Sequence, residues 1–280
     1  MKILVTGVKG QLGYDVVNEL NKRGHVAIGI DLEDLDITIQ SDVESKITAW
    51  NPDAVIHCAA YTAVDAAEEN QELCMMVNAS ATEYIAEVCK KLDIKLIYIS
   101  TDYVFDGEGE RPWEPDDACH PINIYGDSKY HGELAVSSLL SKYFIVRISW
   151  VFGTNGNNFI KTMLKLAETR DELSVVDDQV GSPTYTYDLS ILLADMVESE
   201  AYGIYHASNE GYCTWYDFAT KIFEVAGKSI TVHPVTSDQF PVKAKRPHNS
   251  RMDKSKLDAK GFKRLPSWQD AVERYVESLV

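Results

Sequence analysis

The 280-residue sequence predicts an α/β fold, a doubly wound parallel sheet with a smaller lobe interleaved with it. Three observations carry that expectation. Short β-rich runs recur through the first half, helix-length stretches separate them, and the runs are apolar almost throughout rather than alternating. That last pattern belongs to strands buried on both faces.

In chain order, KILVTG (2–7) reads as the first strand and QLGYDVVNELNKRG (11–24) as a helix closed by Gly24. HVAIGID (25–31) is the next strand, followed by a polar turn and a helix near 41–50. DAVIHCAA (53–60) is a third strand, and a long helical region runs to about Lys91. KLIYIS (95–100) and YFIVRIS (143–149) are two more strands, with 124–140 helical between them. The second half is less regular. Helices are expected near 156–169, 185–199, 215–226 and 267–279, with IYHASN (204–209) a short strand. Pro234, Pro241 and Pro247 punctuate a loop-rich region. The expected division is a cofactor domain over 1–149 plus roughly 173–206, and a substrate lobe over roughly 150–172 and 207–280.

Composition excludes several function classes. Apolar residues make up 45% and charged residues 25%, so a packed core is within reach and disorder is not expected. A formal charge of −16 argues against nucleic acid as a partner, because phosphate backbones need a concentrated basic surface. No apolar run is long enough to span a bilayer, and MKILVTGVKG lacks a secretory signal core. The five cysteines (Cys58, Cys74, Cys89, Cys119, Cys213) are scattered, with no CxxC pair. No metal site or disulfide framework is expected, and a reducing cytoplasm fits that usage.

Chemistry enters at GVKGQLG, directly after the first strand, where Gly7, Gly10 and Gly13 recur every three residues. Gly7 turns the chain out of the strand, Gly10 admits a pyrophosphate close to backbone, and Gly13 lets the helix pack on the sheet. The helix then aims its first amides at the phosphates. In this strand–turn–helix setting the triplet signals a Rossmann-type dinucleotide site. Asp31 ends the second strand, where its carboxylate can accept from ribose hydroxyls and repel a 2′-phosphate, favouring NADH over NADPH. Of fifteen tyrosines, only Tyr125 is followed four residues later by lysine, Lys129, on the same helical face. A phenol titrates near 10, and an adjacent ammonium is expected to bring it towards the working range. Tyr125 then serves as proton donor to a carbonyl, Lys129 also binds the nicotinamide ribose, and Thr101, just past KLIYIS, orients the carbonyl oxygen.

The order of glycine motif, strand-end threonine and Tyr-x-x-x-Lys resembles the short-chain dehydrogenase/reductases, and GxxGxxG resembles their extended, nucleotide-sugar branch. STDYVFDG (100–107), YGDSK, SWVFGTNGNNF (149–159), DDQVGSPTYT (177–186), IYHASNEG (204–211) and KRPHNS (245–250) resemble the dTDP-4-dehydrorhamnose reductases over nearly the whole chain. The resemblance implies NADH- or NADPH-dependent reduction of dTDP-4-dehydro-L-rhamnose to dTDP-L-rhamnose, with Thr101, Tyr125 and Lys129 catalytic. It implies that Asp102 and Trp150 contact substrate, and that Asp102 helps tune the tyrosine. Gly10, Gln11, Leu12, Asp31, Asp36, Ile37, Ala59, Ala60 and Tyr61 match cofactor contacts, and Arg246 is expected to hold pyrophosphate through its planar fork.

Alternatives stay open at this level. Dehydratases of this fold carry Asp-Glu after the threonine, whereas Thr101 is followed by Asp102 and Tyr103. An epimerase, or a non-catalytic subunit resembling the methionine adenosyltransferase β subunit, shares most of the same motifs. A monomer or homodimer acting on a small molecule is expected.

Overall fold

The computed structural model describes residues 1–240 and 242–279. The first half runs β1 (Lys2–Thr6), α1 (Gln11–Lys22), β2 (Val26–Ile30), α2 (Gln40–Trp50) and β3 (Ala54–His57). The expected long helix then proves to be several pieces: α3 (Val64–Ala67), α4 (Gln71–Met75), a π-helical turn (Met76–Ser80) and α5 (Ala81–Leu92). β4 (Lys95–Thr101), α6 (Ile124–Leu139) and β5 (Tyr143–Ile148) complete this half.

The second half continues with β6 (Val151–Phe152), α7 (Phe159–Leu166), β7 (Glu172–Val176), β8 (Val180–Gly181), β9 (Thr184–Tyr185), α8 (Thr186–Glu198) and β10 (Gly203–His206). It ends with β11 (Cys213–Thr214), α9 (Trp215–Val225), β12 (Thr231–Val235), α10 (Ser255–Ala259) and α11 (Trp268–Glu277).

Six strands form one all-parallel sheet in the order β10-β5-β4-β3-β1-β2. Alternate residues of each strand serve opposite layers. Ile3, Val5, Ile97 and Ile99 pack with α1 and α8, while Leu4, Leu96 and Tyr98 pack with α2, α5 and α6. The chain leaves β1 towards β2 and returns on its other side as β3. That reversal is a topological switch point, and a crevice opens there beyond the strands' carboxyl ends.

A third core builds the second lobe from Phe152, Tyr185, Phe218, Trp268 and Tyr275 with aliphatic neighbours. Its strands β6, β8, β9 and β11 are two residues each. Such pairs add only about 1 kcal/mol per hydrogen bond, whereas burying each large ring is worth about 1.5–3 kcal/mol. The aromatic cluster therefore holds this lobe together.

Pro234, read above as loop punctuation, lies inside β12, which pairs in parallel with β7. A two-stranded sheet consists of edges, where proline is tolerated. Leu173 and Val175 of β7 belong to the third core, so the segment from 173 onwards rejoins the main sheet only at α8 and β10. Pro241 lies outside the described residues.

Candidate active site

The glycine loop is shaped by contact with backbone. Gly7 has φ +71°, and a Cβ there would stand 2.7 Å from the Ala59 nitrogen; at Gly13 it would stand 2.3 Å from the Gly7 carbonyl oxygen. No side chain fits at either position, so β1, the loop, α1 and the end of β3 close on one another. Asn155 donates to the Lys9 carbonyl (2.7 Å) and Asn158 to Gln11 Oε1 (3.1 Å), so the 153–158 segment clasps the loop from the second lobe.

Three cavities meet near this point. The central cleft, about 700 Å³, is lined by Gly7, Gly10, Gln11, Leu12, Gly13, Asp31, Ala59 and Ala60 at one end. Thr101, Asp102, Tyr125, Lys129 and Trp150 line the other end. A side pocket of about 280 Å³ is lined by Asp31, Asp36, Ile37, Ala59, Ala60 and Tyr61. Its walls are mostly apolar with the Asp31 and Asp36 carboxylates among them, suited to an adenine and its ribose. The glycine cradle, which a Cβ would fill, and this side pocket together fit a dinucleotide. Asp31 lines both cavities; its Oδ2 accepts from the Lys9 amide and its Oδ1 from the Leu32 amide, both at 2.9 Å. Lys9, also at the cleft, is paired with Glu33 at 2.6 Å.

Tyr125 stands in the first turn of α6, capped by Asn123, whose side chain accepts from the Gly126 amide at 2.8 Å. Gly126 is required because a Cβ there would meet the Tyr103 carbonyl at 2.1 Å. This close seat brings Tyr125 edge-on to Tyr103, with centroids 5.6 Å apart. Thr101 donates from Oγ1 to Asp102 Oδ1 at 3.0 Å and accepts from the Tyr103 amide at 3.2 Å. Asp102 is buried, its Oδ2 has no hydrogen-bond partner, and burial pushes its carboxyl up to about 6.

The expectation that Lys129 lowers the Tyr125 pKa does not hold here. Burial, then the Asp102 charge, pushes the Tyr125 phenol well above its ordinary value, against a hydrogen bond with Thr101. Burial also brings Lys129 down to about 7. A dry cleft disfavours the charged form of both groups: Tyr125 stays a neutral phenol, while Lys129 still carries its proton at and below neutral pH. A phenol held protonated is suited to donating a proton.

Trp150 follows β5 with φ +49°, a strained conformation for a bulky residue and one that often marks a functional position. Its indole stacks on Trp215 with centroids 3.8 Å apart, and Trp215 lines both the cleft and a third cavity. Sequence reasoning missed Trp215: it lies 65 residues from Trp150, at the start of α9, with no local spacing to betray it.

Arg246 is not in the central cleft. It lies on the wall of the third cavity, about 790 Å³, with Phe159, Leu173, Val175 and Phe240. There its fork grips Asp65, Nη2 to Oδ2 at 2.8 Å and Nη1 to Oδ1 at 3.1 Å. Among the described residues no group of three or more His, Cys, Asp or Glu side chains is arranged to hold a metal ion.

The comparisons with known proteins agree on one family. The model described as the RmlD substrate binding domain matches residues 1–280. The dTDP-4-dehydrorhamnose reductase of Aggregatibacter actinomycetemcomitans is 40% identical over 97% of each chain. The solved dTDP-4-dehydrorhamnose reductase of Bacillus anthracis, in complex with NADP, is 42% identical with a TM-score of 0.96 and full coverage of both chains. The enzyme of the same name from Clostridium acetobutylicum is 40% identical, with a TM-score of 0.97 over 100% of this chain and 99% of its own. With the family model matched from end to end, and the glycine cradle, Thr101, Tyr125 and Lys129 gathered in one cleft, this chain belongs to the RmlD family, that of the dTDP-4-dehydrorhamnose reductases.

Proposed function

We propose that this chain reduces the C4 keto group of dTDP-4-dehydro-L-rhamnose (dTDP-4-dehydro-6-deoxy-L-mannose) to give dTDP-L-rhamnose, using NADH or NADPH. The observation that carries the reading is the cleft itself, which sets a dinucleotide cradle against Thr101, Tyr125 and Lys129. The bound reduced nicotinamide supplies hydride to C4. Tyr125 passes its phenolic proton to the C4 oxygen, so the carbonyl becomes a secondary alcohol and the phenolate is reprotonated from solvent. Thr101 orients that oxygen, and Lys129 binds the nicotinamide ribose and offsets the phenolate charge once the proton has left. Gly7, Gly10, Gln11, Leu12 and Gly13 hold the pyrophosphate, while Asp31, Asp36, Ile37, Ala59, Ala60 and Tyr61 hold the adenosine.

On this reading the sugar rests against Trp150 with Asp102 on its hydroxyls, and the nucleotide reaches past Trp215 into the third cavity. Arg246 stands there to meet the substrate pyrophosphate, in exchange for Asp65. The absence of a second acid after Thr101 disfavours dehydration. The five free thiols and the net charge of −16 support a cytoplasmic enzyme acting on a small molecule, without nucleic acid or membrane, as a monomer or homodimer.

The test is a substrate panel. Purified protein with NADH or NADPH is offered dTDP-4-dehydro-L-rhamnose, and separately the unepimerised dTDP-4-keto-6-deoxy-D-glucose, with products identified by NMR. Rapid formation of dTDP-L-rhamnose from the first alone is expected. Reduction of the second alone reassigns the sugar, and reduction of neither overturns the proposal.

A further inference from the structure

Lys129 enters the cleft without a free counter-ion. Its ammonium instead lies 4.1 Å from the centre of the Tyr98 ring, on β4. The titratable groups facing it are Tyr125 and Glu133 on α6, His57 and Cys58 at the end of β3, and Cys74 on α4. Only Glu133 is a carboxylate; its charge opposes the effect of burial on Lys129 from a distance, but its oxygens are bound by Arg147, Nε to Oε1 at 2.8 Å and Nη2 to Oε2 at 2.7 Å.

The ring is held from three sides. Its hydroxyl lies within donating reach of two carbonyls, those of Lys129 at 3.2 Å and Asn78 at 3.3 Å. Its other neighbour is the His57 ring, stacked at 5.8 Å. That imidazole is neutral: burial brings it down to about 3. The Thr82 hydroxyl donates to the Asn78 carbonyl, so His57 Nε2–H donates to Thr82 at 3.2 Å and Nδ1 accepts from Thr6 at 2.7 Å. Gly132, three residues past Lys129, lets α6 settle on the ring. A Cβ there would stand 2.3 Å from the Tyr98 hydroxyl.

We infer that Tyr98 is a positioning residue for Lys129, its π face taking the place of a carboxylate in keeping the ammonium charged and aimed into the cleft. The inference rests on the reading of Lys129 as part of the reductase site, and it names a group outside the Thr101–Tyr125–Lys129 set. The negative face of an aromatic ring attracts a cation most strongly where both are desolvated. Tyr98 is fully buried and Lys129 nearly so.

The experiment varies the ring at constant shape. Tyr98→Phe, followed by phenylalanines at position 98 carrying one, two and three fluorines, weakens the ring's negative face stepwise. Tyr98→Leu removes it. Lys129 is titrated by NMR of protein labelled with [ε-13C]lysine, its signal assigned with Lys129→Met, and kcat/KM is followed against pH in parallel. The ammonium form is the active one, so activity is present below the Lys129 pKa and lost above it. Tyr98→Phe should keep the parental titration. Each fluorine should lower the Lys129 pKa, to a total of about one unit at full fluorination, and the alkaline limb of kcat/KM should move with it. No trend with fluorine, or a Tyr98→Phe shift as large as that of Tyr98→Leu, overturns the inference. Because the fluorinated set keeps the packing, it decides the matter even if Tyr98→Leu does not fold. The NMR titration needs no substrate. A graded titration without ketosugar turnover therefore overturns only the substrate reading, and turnover with an ungraded titration overturns only this one.

Discussion

Between Lys2 and Ile148 the chain lays down five of the six sheet strands, each joined to the next through helix. The second lobe collects its core from four separate stretches, 152–163, 173–185, 213–223 and 268–276, stitched by two-residue strands and stacked rings. The first region places its ligand groups by local rules, a glycine turn or a helix face. The second places them by packing between distant segments, as Trp150 on Trp215 shows. Cofactor binding and sugar binding should therefore be separable by mutation, and the seam between them should carry the chemistry.

The largest expected effect lies on that seam. Tyr125→Phe keeps the ring and its edge contact with Tyr103 but removes the transferable proton, and kcat should fall by about 10²–10⁴. Isothermal titration should meanwhile show unchanged NADH binding; a matched loss of binding would mean that the phenol serves the cofactor rather than the reaction. Next comes a change confined to the first region. Gly13→Ala forces a methyl against the Gly7 carbonyl, so NADH Kd should rise at least about tenfold. Binding of the sugar nucleotide alone, read by the same calorimetry, should change little.

Trp150→Ala is the counterpart in the second region. It removes the stacked surface, and KM for the sugar nucleotide should rise about three- to tenfold while NADH Kd stays constant. A loss on both sides would erase the proposed separation. The smallest effect is expected at Asp31. Replacing its carboxylate in Asp31→Ser should shift the NADPH/NADH ratio of kcat/KM towards NADPH by about fivefold or less, since Lys9 is already neutralised by Glu33 at 2.6 Å. A shift of a hundredfold would show that Asp31 alone governs the choice.

The two regions also differ in how much of them the sequence discloses. The strands of the first half, the glycine cradle and the Tyr125–Lys129 face are legible because each is encoded within one element. The break of the 64–92 segment into α3, α4, a π turn and α5 was not, because it depends on Asn78 and Tyr61 bonding across the turn. β7 and β12 are hidden in the sequence because Pro234 reads as a breaker until its strand is known to be an edge. Trp215, and the seat of Lys129 on Tyr98, join residues far apart in sequence. The direction of the Tyr125 shift could not be foreseen either, since helical spacing says nothing of how dry the cleft is.

The most direct test of the account is to follow the transferred hydrogen. The protein is given 4-deuterated NADH of each stereochemistry with dTDP-4-dehydro-L-rhamnose, and the product is read by mass spectrometry and NMR. One deuterium at C4 of the rhamnosyl product, delivered from only one of the two cofactors and abolished in Tyr125→Phe, is the predicted result. Deuterium at another carbon, or product formed without it from either cofactor, contradicts direct reduction at the Tyr125 cleft.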